Sequence, residues 1–357
     1  MNTRNTPPLT VHGLKFISCK QGFTKADNQL YKNNLEAHTK HDKILYIAKG
    51  IAILLIVLAH IGLDYNGLIY HIRCFDVPLL VFISGKAYGN HKEIKIHKLL
   101  SRDSWYIKRV KRLVIPVWFL LSIYLLLYIC FNLPWFSDSI INSYCLMSEY
   151  VWIYRIFLYL MIVTPFIVNY KRSISIVTLL LLVLVYFIMT IAYDDFSEVL
   201  YKQICFFGGY LIIFTFGVMY DYFNKKVVTI FHSVILIYFI SKSLMEGHIP
   251  YMSFYKYPPT YPFICYGILC SYGLFYILNK KDGFFGSNIL AWLGRHMDWI
   301  YLWHILFLML YKDYFNRILY YTIVLMSSIL VCFIQNQLVC KIIPKNRMTK
   351  TLYNYLK

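Results

Sequence analysis

The stretch from Ile44 to Leu63, ILYIAKGIAILLIVLAHIGL, is long and apolar enough to cross a bilayer, yet it carries Lys49 and His60 inside the run. About 20 residues at 1.5 Å rise span a hydrocarbon core roughly 30 Å thick. An ionisable group in such a run is expensive and marks a functional site by default. The two residues stand eleven positions apart. At about 100° per residue this is three turns plus some 20°, so they share one helical face about 16 Å apart along the axis. The purely structural alternative is a snorkelling lysine and a histidine bonded to a neighbouring helix.

The rest of the chain repeats this pattern. Of its 357 residues, 59% are hydrophobic and 15% charged, and the mean hydropathy of +0.53 lies outside the soluble globular range. The expected class is an all-α, multi-pass membrane protein. A formal charge of +19 raises the question of nucleic acid, but the basic residues follow membrane topology and form no single recognition surface, so no nucleic-acid partner is expected. The nine cysteines are scattered, with no C-x-x-C pair and no metal-ligand spacing; no metal is expected. The sequence has no G-x-S-x-G elbow, Walker loop, H-E-x-x-H or Rossmann glycine pattern, which argues against a nucleotide-hydrolysing pump.

Charge asymmetry sets the expected topology. Apolar segments fall at 44–63, 75–88, 114–131, 151–168, 174–193, 204–220, 227–240, 261–278, 289–310 and 318–340, which makes about ten spans. Segment 86–112 holds the densest basic cluster, whereas the loop from Asn132 to Tyr150 has acidic residues and no Lys or Arg. The positive-inside rule then places both termini in the cytoplasm. Residues 1–43 read as a disordered cytoplasmic tail, 44–340 as the membrane domain and 341–357 as a basic cytoplasmic tail. In this topology Lys49 lies toward the cytoplasmic end of the first span and His60 toward the outer end. The ninth span runs the same way, so His304 is expected at a depth similar to that of His60.

Three further groups carry candidate chemistry. Arg109 and Arg112 lie three apart on one helical face and suit a bidentate grip on phosphate, or else contact anionic lipid. Arg73, Asp76, Glu149 and Arg155 cluster at outer ends, where charges are more often paired scaffold. Asp298, Tyr301 and His304 share one span. Cation pairs at one mouth and histidines toward the other suit transfer of a group from a cytosolic donor to an outer acceptor; the alternative is a transporter or exporter of a sugar or anionic metabolite, whose pathway the same charges would line.

At these residues the chain resembles the acyltransferase-3 family of bacterial integral-membrane O-acyltransferases. KGIAILLIVLAH is similar to that family's first helix, a basic residue followed after ten others by a histidine; the family often has Arg where Lys49 stands. FDVPLLVFISGKAYG, with Pro78, Ser84 and Gly85, resembles its second segment. YIKRVKRLVIPVW, with Arg109, Arg112 and Pro116, is similar to its basic motif, and VWIYRIFLYLMIV, with Trp152 and Arg155, to its fourth span. KYPPTYPFICYG and LGRHMDWIYLWH resemble its later motifs.

The resemblance implies an O-acyltransferase, most often an O-acetyltransferase, of the bacterial cytoplasmic membrane that acts in surface polysaccharide biosynthesis. The implied donor is acyl-CoA, most often acetyl-CoA, and the acceptor is a hydroxyl of a polysaccharide or its lipid-linked precursor. His60 is the implied general base, or else a transient acyl carrier, with His304, expected at a similar depth, as a second catalytic candidate. Lys49, Arg109 and Arg112 are the implied donor-binding set; Arg73, Asp76, Glu149, Arg155, Asp298 and Tyr301 are orienting or acceptor-side candidates.

Overall fold

The computed structural model describes residues 25–62, 68–90, 94, 104–131, 139–148, 150–170, 183–184, 186, 198–248, 250–280, 286–311 and 316–342. By its contacts the chain divides into residues 1–43 and residues 44–357. The second unit holds the first helix from Ile44 onward and every later element. The helices are α1 (Lys25–Ile61), α2 (Leu68–Ile72), α3 (Asp76–Gly89), α4 (Trp105–Phe131), α5 (Ile140–Tyr144), α6 (Trp152–Tyr170), α7 (Glu198–Val218), α8 (Lys225–Glu246), α9 (Tyr261–Lys280), α10 (Ser287–Arg295), α11 (Met297–Leu310) and α12 (Arg317–Ile342). Short 3-10 turns lie at Arg73–Phe75 and Met252–Tyr255. Helix α1 starts upstream of the expected Ile44, so the apolar run continues a helix already under way.

Six helical stretches among the described residues are long and apolar enough to cross a membrane: Asp42–Ile61, Trp105–Phe131, Trp152–Tyr170, Val228–Glu246, Tyr261–Lys280 and Arg317–Lys341. This is fewer than the expected ten, for identifiable reasons. The fifth expected span, 174–193, lies almost wholly outside the described residues. The second is a short helix, Asp76–Gly89, and the sixth lies within α7, of which Cys205–Val218 is the described apolar stretch. The ninth, expected as one helix over 289–310, breaks at His296 into α10 and α11. That break is locally satisfied: His296 Nδ1 donates to the Trp292 carbonyl at 2.9 Å and Nε2 faces the Asn336 side-chain amide at 3.4 Å.

The short helices are enclosed by protein. Helix α3 is buried along most of its length, Asp76 and Lys86 included, and α11 buries Trp299 through Leu306. Where helices surround a segment it need not span the hydrocarbon by itself. Glycines set how tightly α3 is held. A β-carbon at Gly85 would run into the Phe214 carbonyl, and one at Gly217 into the Phe82 carbonyl, so α3 and α7 meet backbone to backbone. Such small-residue contacts are a common means of helix association where lipid offers no hydrophobic drive. The buried Lys86 then closes the far end of the pair with an ion pair to Asp221 at 2.5 Å.

The same device docks α1. Gly50 lies against the Leu290 carbonyl and Gly294 against the Tyr46 carbonyl, so α1 and α10 also touch through their backbones. The Trp303 indole donates to Gln335 Oε1 at 2.7 Å, which ties α11 to α12. Helices α1, α3, α6 and α11 are thereby held around two cavities. By contrast α8 and α12 leave most of their apolar surface uncovered, as helices facing lipid do.

Candidate active site

Two cavities open along α1, one at Lys49 and one at His60. The first, about 210 Å³, is lined by His60, Arg73, Asp76, Trp152, Lys256 and Tyr301 among others. The second, about 160 Å³, is lined by Lys49, Arg109, Arg112 and Asp298 with Phe157, Leu160, Met161 and Phe214. We call them the histidine cavity and the arginine cavity.

At the histidine cavity, α1 and α11 bring His60 and His304 together. His60 Nδ1 and His304 Nε2 are 2.8 Å apart, and the two rings are nearly parallel, at 14°. The contact behind His304 sets the tautomers. His304 Nδ1 is hydrogen-bonded to the Tyr301 main-chain carbonyl, and a carbonyl only accepts, so that nitrogen carries the proton. In a neutral His304, Nε2 is then an acceptor and His60 Nδ1 must be the donor. The lone pair of His60 is left on Nε2, the opposite edge of the ring. His304, fully buried, thus orients His60 as a third group orients the base in a catalytic triad. These proton positions are inferred from the hydrogen-bond network.

Aromatic rings fix the pair from the sides. The Tyr301 ring lies 4.9 Å from that of His304 and 6.5 Å from that of His60. Its hydroxyl donates to the Tyr150 carbonyl at 2.6 Å, and Tyr150 in turn faces His60 at 5.9 Å. Tyr154 packs edge-on against Tyr301 at 5.7 Å and donates to the Asp298 carbonyl at 3.4 Å, so it stands between the two cavities.

The other wall of the histidine cavity is a buried charge cluster. Arg73 Nη1 donates to Asp76 Oδ2 at 2.9 Å, and both side chains are almost fully buried. Lys256 Nζ lies 3.7 Å from Asp76 Oδ1. Burial by itself pulls the Lys256 pKa down, but the nearby Asp76 carboxylate more than offsets this and holds it above the ordinary lysine value. Lys256 is therefore an ammonium at neutral pH. His71, also buried, lines the same cavity and pairs its Nδ1 with the Ser253 hydroxyl at 3.0 Å.

In the arginine cavity Arg112 Nη2 lies 3.8 Å from Asp298 Oδ2, with both side chains about half exposed. Arg109 sits over the rings of Tyr88 at 5.2 Å and Trp105 at 5.8 Å. Three cations face one carboxylate here, on a floor of apolar side chains. Such a site suits a polyanion carrying an apolar arm.

Of the residues singled out in the sequence, His60, Arg73, Asp76 and Tyr301 line one cavity with His304 directly behind, and Lys49, Arg109 and Arg112 line the other. Asp298, expected as an orienting or acceptor-side group, stands in the first turn of α11 and lines the cavity of the arginines. Arg155 lines neither cavity, and its Nε is buried. Glu149 lies outside the described residues. Sequence reasoning gave no role to Lys256. Its signal was a lysine beside Pro258 and Pro259 in a loop that charge asymmetry assigns to the lysine-poor side.

Fold and site together define a multi-pass helical membrane protein with a paired-histidine cavity and a cationic cavity on one helix. A family model described as an acyltransferase domain, that of the acyltransferase-3 family, matches residues 43–335, and the chain belongs to this family. No curated protein and no solved structure matches it.

Proposed function

We propose that this membrane acyltransferase moves an acyl group, an acetyl group in the first instance, from cytosolic acyl-CoA to a hydroxyl of a carbohydrate acceptor on the opposite side of the membrane. The His60–His304 pair is the observation that carries the reading, because its geometry leaves one basic nitrogen, His60 Nε2, facing away from a fixed partner. The topology expected from charge supplies the sidedness: about ten spans with both termini cytoplasmic, the arginine cavity inward and the histidine cavity outward. The setting proposed with it is a bacterial cytoplasmic membrane and a surface polysaccharide or its lipid-linked precursor, as the sequence resemblance implies.

The donor's phosphates rest on Arg109, Arg112 and Lys49, and its pantetheine arm runs along α1 past Tyr154. The interval of about 16 Å between Lys49 and His60 along the helix is the distance that arm must cover. His60 Nε2 takes the proton of the acceptor hydroxyl as its oxygen attacks the thioester carbonyl, which gives a tetrahedral intermediate. The C–S bond then breaks, and the coenzyme A thiolate leaves and recovers that proton from the imidazolium. While His60 is charged, its Nδ1–H bond to His304 Nε2 becomes charge-assisted and so strengthens in the transition state.

The test uses purified protein in nanodiscs with acetyl-CoA and a bacterial surface oligosaccharide. Release of free coenzyme A together with a sugar heavier by one acetyl group is the expected result. Transport of the sugar into vesicles with no thiol release would sink it in favour of an exporter.

A further inference from the structure

The charge cluster of the histidine cavity is unbalanced. Among the charged side chains lining it, Arg73 and Lys256 face the single carboxylate of Asp76, and that carboxylate is already engaged. Its Oδ2 accepts from Arg73 at 2.9 Å and its Oδ1 from the Val77 backbone N–H at 2.7 Å. Lys256 lies 3.7 Å from it, too far for a hydrogen bond. Beyond that ion pair its ammonium meets only the Tyr257 ring, at 5.3 Å, among the contacts of the described residues, and Arg73, whose guanidinium lies 4.2 Å over the Tyr70 ring, keeps a buried Nε without an acceptor. The relative exposures are 3% for Arg73 and 8% for Lys256.

A buried positive charge with unspent donors is costly unless something negative meets it. Its place beside His60 says what that is. The surplus faces the cavity that the acceptor hydroxyl must enter to reach His60 Nε2. Donor phosphates have a separate cationic site of their own at Arg109 and Arg112. At about 210 Å³ the cavity is smaller than the roughly 300–1,000 Å³ of a drug-sized site, so it takes one ring-sized piece of a larger acceptor.

We infer that the acceptor is anionic, carrying a carboxylate or phosphate that docks between Arg73 and Lys256 within one sugar unit of the acylated hydroxyl. The inference rests on the acyl-transfer reading, and it deepens that reading by naming the chemical class of the acceptor. Two sources supply such an anion, an acidic sugar or the phosphate of a lipid carrier.

The experiment compares three acceptors with the full-length protein in nanodiscs: a uronic-acid oligosaccharide, its neutral hexose counterpart, and that neutral sugar on a polyprenyl diphosphate. The expected result is at least a tenfold higher kcat/KM for one anionic acceptor over the free neutral sugar. Preference for the first identifies a sugar carboxylate, and preference for the third a carrier phosphate. Lys256→Gln should bring that ratio close to one, while Lys256→Arg should keep most of it. Equal use of all three acceptors by the natural protein would overturn the inference. So would a ratio unmoved in Lys256→Gln while all rates fall, since Lys256 would then serve the reaction and not the choice of acceptor. Direct binding of glucuronate, of the polyprenyl diphosphate carrier and of glucose, read by calorimetry, separates this inference from the acyl-transfer reading. If no acceptor is acylated but glucuronate alone binds, and Lys256→Gln abolishes that binding, the anion site stands and the acyl-transfer reading falls. If glucuronate and the diphosphate carrier both fail to bind, the anion site falls.

Discussion

The two cavities on α1 hold similar chemical groups in opposite conditions. In the arginine cavity the Arg112 and Asp298 side chains are 57% and 47% exposed and lie 3.8 Å apart. In the histidine cavity Arg73 and Asp76 are 4% and 1% exposed and lie 2.9 Å apart. Exposed pairs contribute little, about 0–1 kcal/mol, and their cost is low because water still solvates them. They are free to exchange one anion for another. Buried pairs keep one geometry, because removing either member strands a charge. The first arrangement suits a binding surface and the second, in the proposed reaction, a preorganised chamber, and substitutions in either cavity can break that distinction.

The largest effect is expected at the histidine pair. His60→Gln keeps a polar side chain but removes the basic nitrogen, and turnover should fall by about 10²- to 10⁴-fold, the usual range for a general base. High concentrations of either substrate should not restore it, since the lost interaction belongs to the transition state. His304→Gln should cost less, because its amide still accepts from His60 Nδ1. Near-normal kcat in His60→Gln, at normal membrane abundance, would make His60 a structural hydrogen-bonder and erase the difference between the cavities.

Asp76→Asn tests the buried character of the other wall. It leaves Arg73 and Lys256 without their carboxylate, and loss of one member of a buried pair costs about 3–5 kcal/mol. The variant should show a markedly lower thermal midpoint in detergent, measured by tryptophan fluorescence. An unchanged midpoint would mean that the cluster is wetter than its geometry indicates.

Legibility in the sequence divides along the same line. Lys49, His60, Arg109 and Arg112 stood out because an ionisable group in or beside an apolar run is conspicuous along a single helix. The meeting of His60 with His304 was accessible through depth, since both spans were expected to run the same way. The break at His296 was hidden, because the apolar residues on either side outweigh the short polar group Gly294, Arg295, His296 and Asp298 in the mean hydropathy of 289–310, and the satisfied backbone appears only in three dimensions. Lys256 was invisible as a site residue because its partner Asp76 is 180 positions away, on the far side of a tertiary contact. Segment 75–88 was already legible as short for a full crossing, whereas α11 was counted within one span over 289–310, because hydropathy cannot tell lipid around an apolar helix from protein.

At the arginine cavity the expected effect is smaller and of another kind. Arg109→Ala with Arg112→Ala should raise KM for acyl-CoA by about tenfold, which corresponds to roughly 1.4 kcal/mol, with kcat nearly unchanged. Contacts of half-exposed guanidiniums with phosphate are screened by water and salt, so the effect should shrink as ionic strength rises. A change confined to the acceptor KM would remove the phosphate grip from these residues.

Asp298→Asn carries the smallest change and the opposite sign, and it sharpens the comparison most. Its carboxylate is the one negative group facing Lys49, Arg109 and Arg112 among the described residues lining the cavity, so its removal raises the positive potential where the donor phosphates are to bind. Being half exposed and 3.8 Å from Arg112, it contributes at most about 1 kcal/mol to the fold; the thermal midpoint should hardly move. The main-chain carbonyl that receives Tyr154 is untouched by the substitution. The expected outcome is a KM for acyl-CoA lowered about two- to fivefold at low salt, converging on the natural value as salt increases. The same chemical change at Asp76, asparagine for aspartate, should destabilise the protein. A fall in stability at Asp298 comparable to that at Asp76 would show that both cavities are sealed, and the donor would then need another way in.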